Sequence, residues 1–430
     1  MATNFLMVKW AEGANIYEVN IRQYTGEGTF AAFAKSLPRL KNMGVQILWL
    51  MPITQISVEK RLGELGSYYS CSSYTKINSE FGTLDDFKAL VKEAHELGFK
   101  LIIDWVANHT GWDHDWTKTH PDWYKKDEEG NFTEVHGWKD VIDLNYDNIC
   151  MRNAMIDAMQ FWIAEFHIDG FRCDMAHLVP LDFWKDAREK CDAIKPLFWL
   201  AECEVKEYHE VFDVSYAWEW MHVTEKFMRG EATLSDVRNV LIKYAQYSQG
   251  ALKLFFTTNH DENSWNGTEY EKYGNAAKAF AVFTCTWKGM PLIYSGQELP
   301  NFKRLSFFNK DKIDWDNMQP ALHQFYKTLL SLRKTNTAFY SNAKLINLST
   351  TYNDEILAYL CINGNDKVLS VINFSNAERL KFSITHDELN GIYENVFSEF
   401  EYNFKKTVSF ELQPWEYAVY SAVLTDDLSH

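Results

Sequence analysis

The stretch "FHIDGFRCD", residues 166–174, is a short apolar run that ends on a pair of opposite charges, Arg172 and Asp174. Residues two apart in a β-strand point to the same face, so both charges share one face and Cys173 lies on the other. A charge pair where a buried strand should finish indicates that the carboxyl end of this strand opens into a functional site.

On either side of this stretch, similar apolar runs alternate with amphipathic runs of helical period. The strand-like runs cover residues 14–21, 45–52, 100–108, 166–174, 197–202, 211–217, 251–259 and 290–296. In the clearest helical run, residues 83–100, Thr83 and Asp86 form a capping box and Gly98 ends the helix. This alternation predicts an α/β fold with a parallel sheet, and eight strands favour a closed (β/α)₈ TIM barrel over an open doubly wound sheet.

Two regions break the alternation. Residues 109–148 are too long for an ordinary βα loop, so we expect a short excursion after the third strand. From residue 346 the apolar period changes to two, with a turn at 363–366, which predicts a C-terminal antiparallel β-sandwich domain over 346–430. The barrel itself is then expected to comprise residues 1–108 and 149–345.

Composition narrows the possible partners and compartments. The 430 residues carry 43 Lys and Arg against 59 Asp and Glu, a net charge of −16, which argues against nucleic acid and anionic membranes as partners. The start shows no signal sequence and no apolar run is long enough to span a bilayer, so a cytoplasmic location is expected; a removed leader would make it periplasmic or secreted. Seven widely spaced cysteines without a CxxC motif predict free thiols.

Charged and polar side chains lie at the carboxyl ends of four of the predicted strands. They are Asp104, Asn108 and His109; Arg172 and Asp174; Glu202 and Glu204; and His260, Asp261 and Glu262. Because the active site of a (β/α)₈ barrel lies at the carboxyl ends of its strands, these side chains should converge on one mouth.

Two of these carboxyls have environments that should separate their pKa values. Arg172 beside Asp174 is expected to lower the pKa of that carboxyl, whereas the apolar run before Glu202 is expected to raise that of Glu202. An ionised nucleophile and a protonated acid are what retaining glycoside hydrolysis requires. Neighbouring strands of a barrel would allow the separation of about 5–5.5 Å that such enzymes use.

The same motifs carry a family resemblance. "DWVANH" (104–109), "GFRCDMAH" (170–177), "WLAECE" (199–204) and "FTTNHDEN" (256–263) resemble, in order, four sequence regions of the α-amylase family of glycoside hydrolases. "GMPLIYSGQE" (289–298) resembles its eighth strand. The resemblance extends over almost the whole chain.

This resemblance implies a role for each matching residue. Asp174 would be the nucleophile, Glu202 the general acid and then base, and Asp261 the residue that holds sugar hydroxyls and stabilises the transition state. The residues implied to bind the sugar or to position these groups are Tyr69, Asp104, His109, Arg172 and His260. The partner implied is an α-glucan or malto-oligosaccharide.

A metal site is implied less completely. Many members of the family bind calcium between the excursion and the barrel, and Asn108 and Asp143 match two of its ligands. His177, however, follows Asp174 by three residues where the family pattern has four. Ca²⁺ is therefore an open expectation, and no organic cofactor is expected.

The function predicted is retaining hydrolysis of α-1,4-glucosidic bonds in starch, maltodextrins or related α-glucans. An α-glucan transglycosylase or an α-1,6-acting enzyme would need the same residues, and a catalytically silent carbohydrate-binding protein could share the fold. Trp112, Trp116 and Trp265 are either sugar-stacking rings or packing residues.

Overall fold

A computed structural model describes residues 5–248 and 250–423 of the chain. Residues 1–4 and 249, assigned above to the barrel, and residues 424–430, assigned to the C-terminal domain, lie outside the described residues.

Eight parallel strands form a closed barrel, which confirms the predicted TIM-barrel fold. The strands are β1 (Ile16–Val19), β2 (Ile47–Leu50), β3 (Lys100–Trp105), β4 (Gly170–Cys173), β5 (Phe198–Ala201), β6 (Val214–Tyr216), β7 (Leu252–Phe255) and β8 (Met290–Tyr294). Each strand pairs with its neighbours in chain order, and β8 pairs with β1 to close the barrel. We call the carboxyl ends of these strands the mouth and their amino ends the base.

Helices connect most of the strands. Those of seven or more residues are Leu37–Met43, Leu84–Glu96, Ile149–Phe166, Leu181–Asp192, Trp218–Met228, Leu234–Ala245, Ala277–Thr286 and Pro320–Thr335. The link between β5 and β6 has only the 3₁₀ helix Lys206–Glu210. At Thr83 the predicted capping box is present, because its hydroxyl accepts from Asp86 N at 3.2 Å while Asp86 accepts from Thr83 N at 2.8 Å.

The seam between the first and last strands is fixed at the base by a buried arginine. Arg333, on the helix Pro320–Thr335, has 1% of its surface exposed. Its guanidinium donates to the backbone carbonyls of Gly13 at 3.2 Å, Cys285 at 3.0 Å and Gly289 at 2.7 Å. One side chain therefore satisfies carbonyl groups that flank both strands of the seam.

A buried carboxylate at the base has several hydrogen-bond donors. Asp169, directly before β4, accepts from His95 Nε2 at 2.7 Å, Lys195 Nζ at 2.8 Å and the backbone N–H of Leu101 at 3.0 Å. Burial alone would raise the pKa of Asp169, but these hydrogen bonds and charges outweigh burial and lower the pKa to about 2.

The excursion after β3 has a small sheet of its own. The strands His109–Gly111 and Val141–Asp143 pair antiparallel, with the short helix Asp115–Thr119 between them. The helix Ile149–Phe166 then leads the chain back to the base and into β4.

The C-terminal region is antiparallel, as predicted. Its strands are Lys344–Leu348, Ile356–Asn363, Asp366–Asn373, Leu380–Thr385, Gly391–Asn395, Glu401–Phe404, Thr407–Leu412 and Tyr417–Ala422. Six of them form one sheet, while Leu380–Thr385 and Thr407–Leu412 form a two-stranded ribbon that shares an apolar core with that sheet. The strand Lys344–Leu348 begins two residues before the predicted domain boundary.

All seven cysteines are free thiols, as expected. Among the residues described, no helix combines the length and the apolar character needed to cross a membrane.

Candidate active site

A cleft of about 430 Å³ opens at the mouth of the barrel. Its floor contains Asp174, Glu202 and Asp261, which follow β4, β5 and β7. One wall is His109 with residues 137–141 of the excursion. The full lining is Leu62, Ser67, Tyr69, His109, Gly137, Trp138, Lys139, Asp140, Val141, Asp174, Met175, Glu202, Asp261, Trp265, Phe307 and Phe308.

A single buried arginine lies under this floor. Arg172 Nη1 donates to Asp104 Oδ1 and to Asp174 Oδ1, both at 2.9 Å. Its Nη2 donates to Glu202 Oε2 at 2.7 Å, and its Nε to the hydroxyl of Tyr216 at 3.2 Å. The parallel register of β3 and β4 places Asp104 opposite Arg172, which explains why the two meet. The contact from Arg172 to Glu202 was not expected from the sequence.

Because three carboxylates share one arginine, the pKa of Asp174 differs from the value that the sequence predicted. Burial raises the pKa of Asp174 to about 6, against the opposing charge of Arg172 and with the aid of the nearby Asp104 carboxylate. Arg172 does lower the pKa of Asp174, as predicted, but the low net pKa expected for this carboxyl is wrong, because desolvation and a second acid outweigh the arginine. Burial also raises the pKa of Glu202, to about 7, as predicted.

A second network surrounds His260. Its Nε2 lies 3.2 Å from Asp261 Oδ2 and 2.8 Å from the Tyr69 hydroxyl, and its Nδ1 contacts Glu18 Oε1. Burial alone would lower the pKa of His260, but the Asp261 and Glu18 carboxylates outweigh burial and raise it. The resulting imidazolium lowers the pKa of Asp261 in spite of burial.

Tyr69 and His109 supply aromatic, uncharged surfaces to the cleft. The Tyr69 ring stacks on His260 with centroids 5.4 Å apart and planes 20° apart, and its hydroxyl donates to Asp104 Oδ2 at 3.0 Å. His109 lines the cleft beside Trp138, with ring centroids 5.4 Å apart. Burial lowers the pKa of His109 to about 4, so this ring is neutral near pH 7.

Two acids singled out in the sequence do not line the cleft. Glu204 accepts from the backbone N–H of Glu219 at 2.9 Å, at the start of the helix Trp218–Met228. Glu262 pairs with Lys272 at 2.7 Å. Both carboxylates therefore fix secondary structure around the mouth.

The predicted metal ligands lie beside the excursion's sheet. Both carboxylate oxygens of Asp143 are buried without a hydrogen-bond partner, and burial raises its pKa. The Asn108 carbonyl accepts a hydrogen bond from the backbone N–H of Leu144 at 3.1 Å. Asn108 therefore lies beside the strand segment that carries Asp143. Within residues 5–248 and 250–423, no group of three or more His, Cys, Asp or Glu side chains is arranged to hold a metal.

Several site residues were missed from the sequence. Trp49 Nε1 donates to Asp104 Oδ2 at 3.2 Å, Tyr216 contacts Arg172, and Glu18 contacts His260. Of these three residues, only Glu18 could have been recognised as a site residue from the sequence, since it is a lone acid within the apolar strand β1. Asp140, also missed, is 5% exposed, and its Oδ2 is buried without a partner in the cleft wall.

Of the three tryptophans left open above, Trp265 lines the cleft. Trp112 lies under the Lys60 ammonium group and donates to the Lys139 carbonyl at 3.1 Å. Trp116 packs on Trp123 with ring centroids 4.9 Å apart.

Comparison with known proteins points to one family. The family model for the alpha-amylase catalytic domain matches residues 13–132 and 120–325. The structure of a noncanonic maltogenic alpha-amylase from Thermotoga neapolitana superposes with a TM-score of 0.89 and 32% identity, covering 96% of this chain and 99% of that one.

The curated relatives include hydrolases and transferases. An alpha-amylase of Haloarcula japonica is 26% identical over 388 residues, 85% of this chain, and the chain spans 56% of the length of that relative. An alpha-1,4-glucan:maltose-1-phosphate maltosyltransferase of Picrophilus torridus is 26% identical over 406 residues, 85% of this chain and 63% of that protein.

Proposed function

The chain belongs to the alpha-amylase family, and from that premise we propose that it hydrolyses α-1,4-glucosidic bonds of maltodextrins or starch with retention of anomeric configuration. The observation that carries this proposal is the pair Asp174 and Glu202, held by opposite nitrogens of the Arg172 guanidinium. Burial raises the pKa of both carboxyls, and a pKa of about 7 for Glu202 suits the residue that must hold the proton.

Glu202 has one oxygen available for proton transfer. Its Oε2 accepts from Arg172 Nη2 and from the backbone N–H of Met175 at 3.0 Å, so the acidic proton resides on Oε1. In the first step this proton passes to the glycosidic oxygen as the bond to the anomeric carbon breaks. The leaving chain departs as an alcohol.

Asp174 forms the new bond. Its Oδ1 is held by Arg172, and Oδ2 attacks the anomeric carbon to give a covalent glycosyl ester. Glu202, now ionised, removes a proton from water, and the hydroxide oxygen displaces Asp174 from the anomeric carbon. Two inversions give net retention.

The network around His260 would hold the reacting sugar. The ionised Asp261 accepts hydrogen bonds from two ring hydroxyls, and these bonds strengthen as positive charge develops on the sugar. Tyr69 presents its ring to the apolar face of the sugar, and the neutral His109 can donate to a further hydroxyl. The protonated His260 keeps Asp261 ionised.

Retention is favoured over inversion by the shared arginine. An inverting enzyme needs carboxyls about 6.5–9.5 Å apart to admit a water between them, against about 5–5.5 Å for a retaining one. Oxygens of Asp174 and Glu202 both bond to one planar guanidinium, which keeps them close. Proton NMR of the first products tests this: early α-anomer supports the proposal and early β-anomer overturns it.

Maltoheptaose with product chromatography tests the reaction class. Shorter maltodextrins indicate hydrolysis, longer ones indicate transglycosylation, and no change would favour a silent binding protein. A panose or pullulan substrate in parallel tests for an α-1,6 preference. The transferases among the relatives keep transglycosylation as the second candidate.

We also propose that Ca²⁺ binds at Asn108 and Asp143, where it would tie the excursion to the barrel without joining the bond-breaking steps. The support is the buried carboxylate of Asp143, whose two oxygens lack partners, since hard oxygen ligands suit Ca²⁺. The remaining ligands would be amide and backbone oxygens and water. A melting temperature that falls with EDTA in the unaltered protein, but not in Asp143→Asn, would support the site; equal melting temperatures would reject it.

A further inference from the structure

A second, much smaller cavity lies behind the segment that carries His260 and Asp261. Its volume is about 10 Å³, close to the space that one water-sized atom occupies. It is lined by Thr258, Asn263, Glu269, Tyr294, Gln297 and Asn301. None of these residues lines the substrate cleft, all six are polar, and they include one anion and no cation.

The anion in this cavity is a buried carboxylate without a counter-charge. Glu269 is 4% exposed, and its Oε1 accepts from the Thr257 hydroxyl at 2.6 Å and from Gln297 Nε2 at 3.0 Å. Among the described residues, no Lys, Arg or His side chain forms an ion pair with it, although Lys272 is near enough to exert a weak charge effect. A buried carboxylate in such surroundings binds a cation or takes up a proton.

The other lining groups present oxygen atoms. Thr258 is 4% exposed, and its Oγ1 is buried without a hydrogen-bond partner. Backbone N–H groups orient two amides, because Asn263 Oδ1 accepts from Leu305 N at 2.9 Å and Asn301 Oδ1 accepts from Lys303 N at 3.0 Å. Each of these amide oxygens retains a second lone pair.

We infer that this cavity binds one alkali metal cation of the size of Na⁺, with Glu269 as its counter-charge and the oxygens of Thr258, Asn263 and Asn301 as neutral ligands. Hard oxygen donors suit such an ion, and a single carboxylate balances one positive charge. A divalent ion such as Ca²⁺ is less suited, because the one carboxylate in this cavity would leave half of its charge unbalanced. Zinc would require nitrogen or sulfur ligands.

The position of the cavity gives the ion a structural role. Thr258 precedes His260 by two residues and Asn263 follows Asp261 by two residues. An ion held between them would therefore fix both ends of the turn that presents Asp261 to the cleft. This inference does not depend on the proposed reaction, because ion binding can be measured without a substrate.

The test is the melting temperature of the dialysed protein in NaCl and in choline chloride at equal ionic strength. We expect a saturable rise of about 2–4 °C that is specific to Na⁺. Glu269→Gln should abolish this rise, whereas Glu271→Gln should keep it, because Glu271 is on the same short helix but pairs with Arg304 at the surface.

Four outcomes would overturn the inference, the fourth from a second measurement. Equal melting temperatures in the two salts exclude a specific ion. A Na⁺ response that survives Glu269→Gln places the ion elsewhere. A Glu269→Gln protein that is more stable in both salts indicates a protonated Glu269 beside a water, in line with the rise of its pKa to about 7 through burial. If Glu269→Gln fails to fold, sodium NMR relaxation of the unaltered protein decides, and unchanged line widths reject the site.

Discussion

Arg172 at the mouth and Arg333 at the base are both almost fully buried, but they have opposite partners. Arg172 is bound by the carboxylates of Asp104, Asp174 and Glu202. In the described part of the chain, the hydrogen-bond acceptors of Arg333 are backbone carbonyls around the β1–β8 seam. One arginine gathers charges that chemistry needs, and the other satisfies polar groups that the fold would otherwise leave unpaired.

The carboxyl pKa values at the two ends of the barrel show how this difference affects stability. Burial raises the pKa of Asp104 and Asp174 to about 6 and that of Glu202 to about 7, so ionising all three is unfavourable. At the base, hydrogen bonds from His95 and Lys195 and the charge of Lys195 lower the pKa of Asp169 to about 2. The mouth is therefore arranged for reactivity at the expense of stability, and the base for stability.

The largest expected effect is on turnover at the mouth. Glu202→Gln should lower kcat by about 10²–10⁴-fold, because the amide cannot donate the proton, while the melting temperature stays equal or rises. Steady-state kinetics and calorimetry measure both. Glu204→Gln is the matched control, two residues further on and outside the cleft, and it should keep its turnover. Near-normal activity of Glu202→Gln would show that Glu202 is not the general acid.

The corresponding change at the base should affect stability alone. Arg333→Met leaves several buried carbonyls unpaired, and it should lower the free energy of unfolding by roughly 3 kcal/mol or more. Urea unfolding measures this loss, and kcat per folded molecule should not change. Arg333→Lys should recover part of the stability. A variant that loses turnover but keeps its stability would contradict the contrast between mouth and base.

The two ends should also respond to pH with opposite sign. Between about pH 4.5 and 7 the native mouth binds more protons than the unfolded chain, so its contribution to stability falls as pH rises through the raised pKa values. Asp169 binds fewer protons when folded, so its contribution is present above the unfolded pKa near 4 and is lost toward pH 2.

Urea unfolding at pH 2, 5 and 7 checks this prediction. Relative to the unaltered protein, Glu202→Gln should gain the most free energy of unfolding at pH 7, by roughly 1–3 kcal/mol. Asp169→Asn should lose most at pH 5 and 7 and little near pH 2. Parallel pH profiles for the two variants would show that the assigned pKa shifts are wrong.

The smallest expected effect concerns the cleft wall. Asp140 is 5% exposed in that wall, so a substrate hydroxyl that bonds to its carboxylate there should contribute about 1 kcal/mol to binding. Asp140→Ala should raise KM for maltoheptaose about five-fold with little change in kcat, and the melting temperature should rise. Asp147→Ala, at an exposed position nearby, is the control. An unchanged KM would show that Asp140 does not contact the substrate.

The barrel and the convergence of charged strand ends could be predicted from the sequence, because apolar period and strand-end chemistry are local properties. The raised pKa of Asp174 could not be predicted, since it depends on burial and on the carboxylate of Asp104, which shares Arg172 from the neighbouring strand. Glu18 was missed for the same reason: it is 242 residues from His260 in the chain.

The seam at the base also sets an order of events during synthesis. Gly13 and Arg333 are separated by 320 residues, so at about 5–20 residues per second a ribosome makes the acceptor roughly 15–60 s before the donor. β1 keeps one unpaired edge until β8 (Met290–Tyr294) has been made, and the seam lacks its arginine for longer still; an exposed strand edge is a template for association with other chains. A nascent or truncated chain that lacks the helix Pro320–Thr335 therefore depends on chaperones more than the complete barrel does.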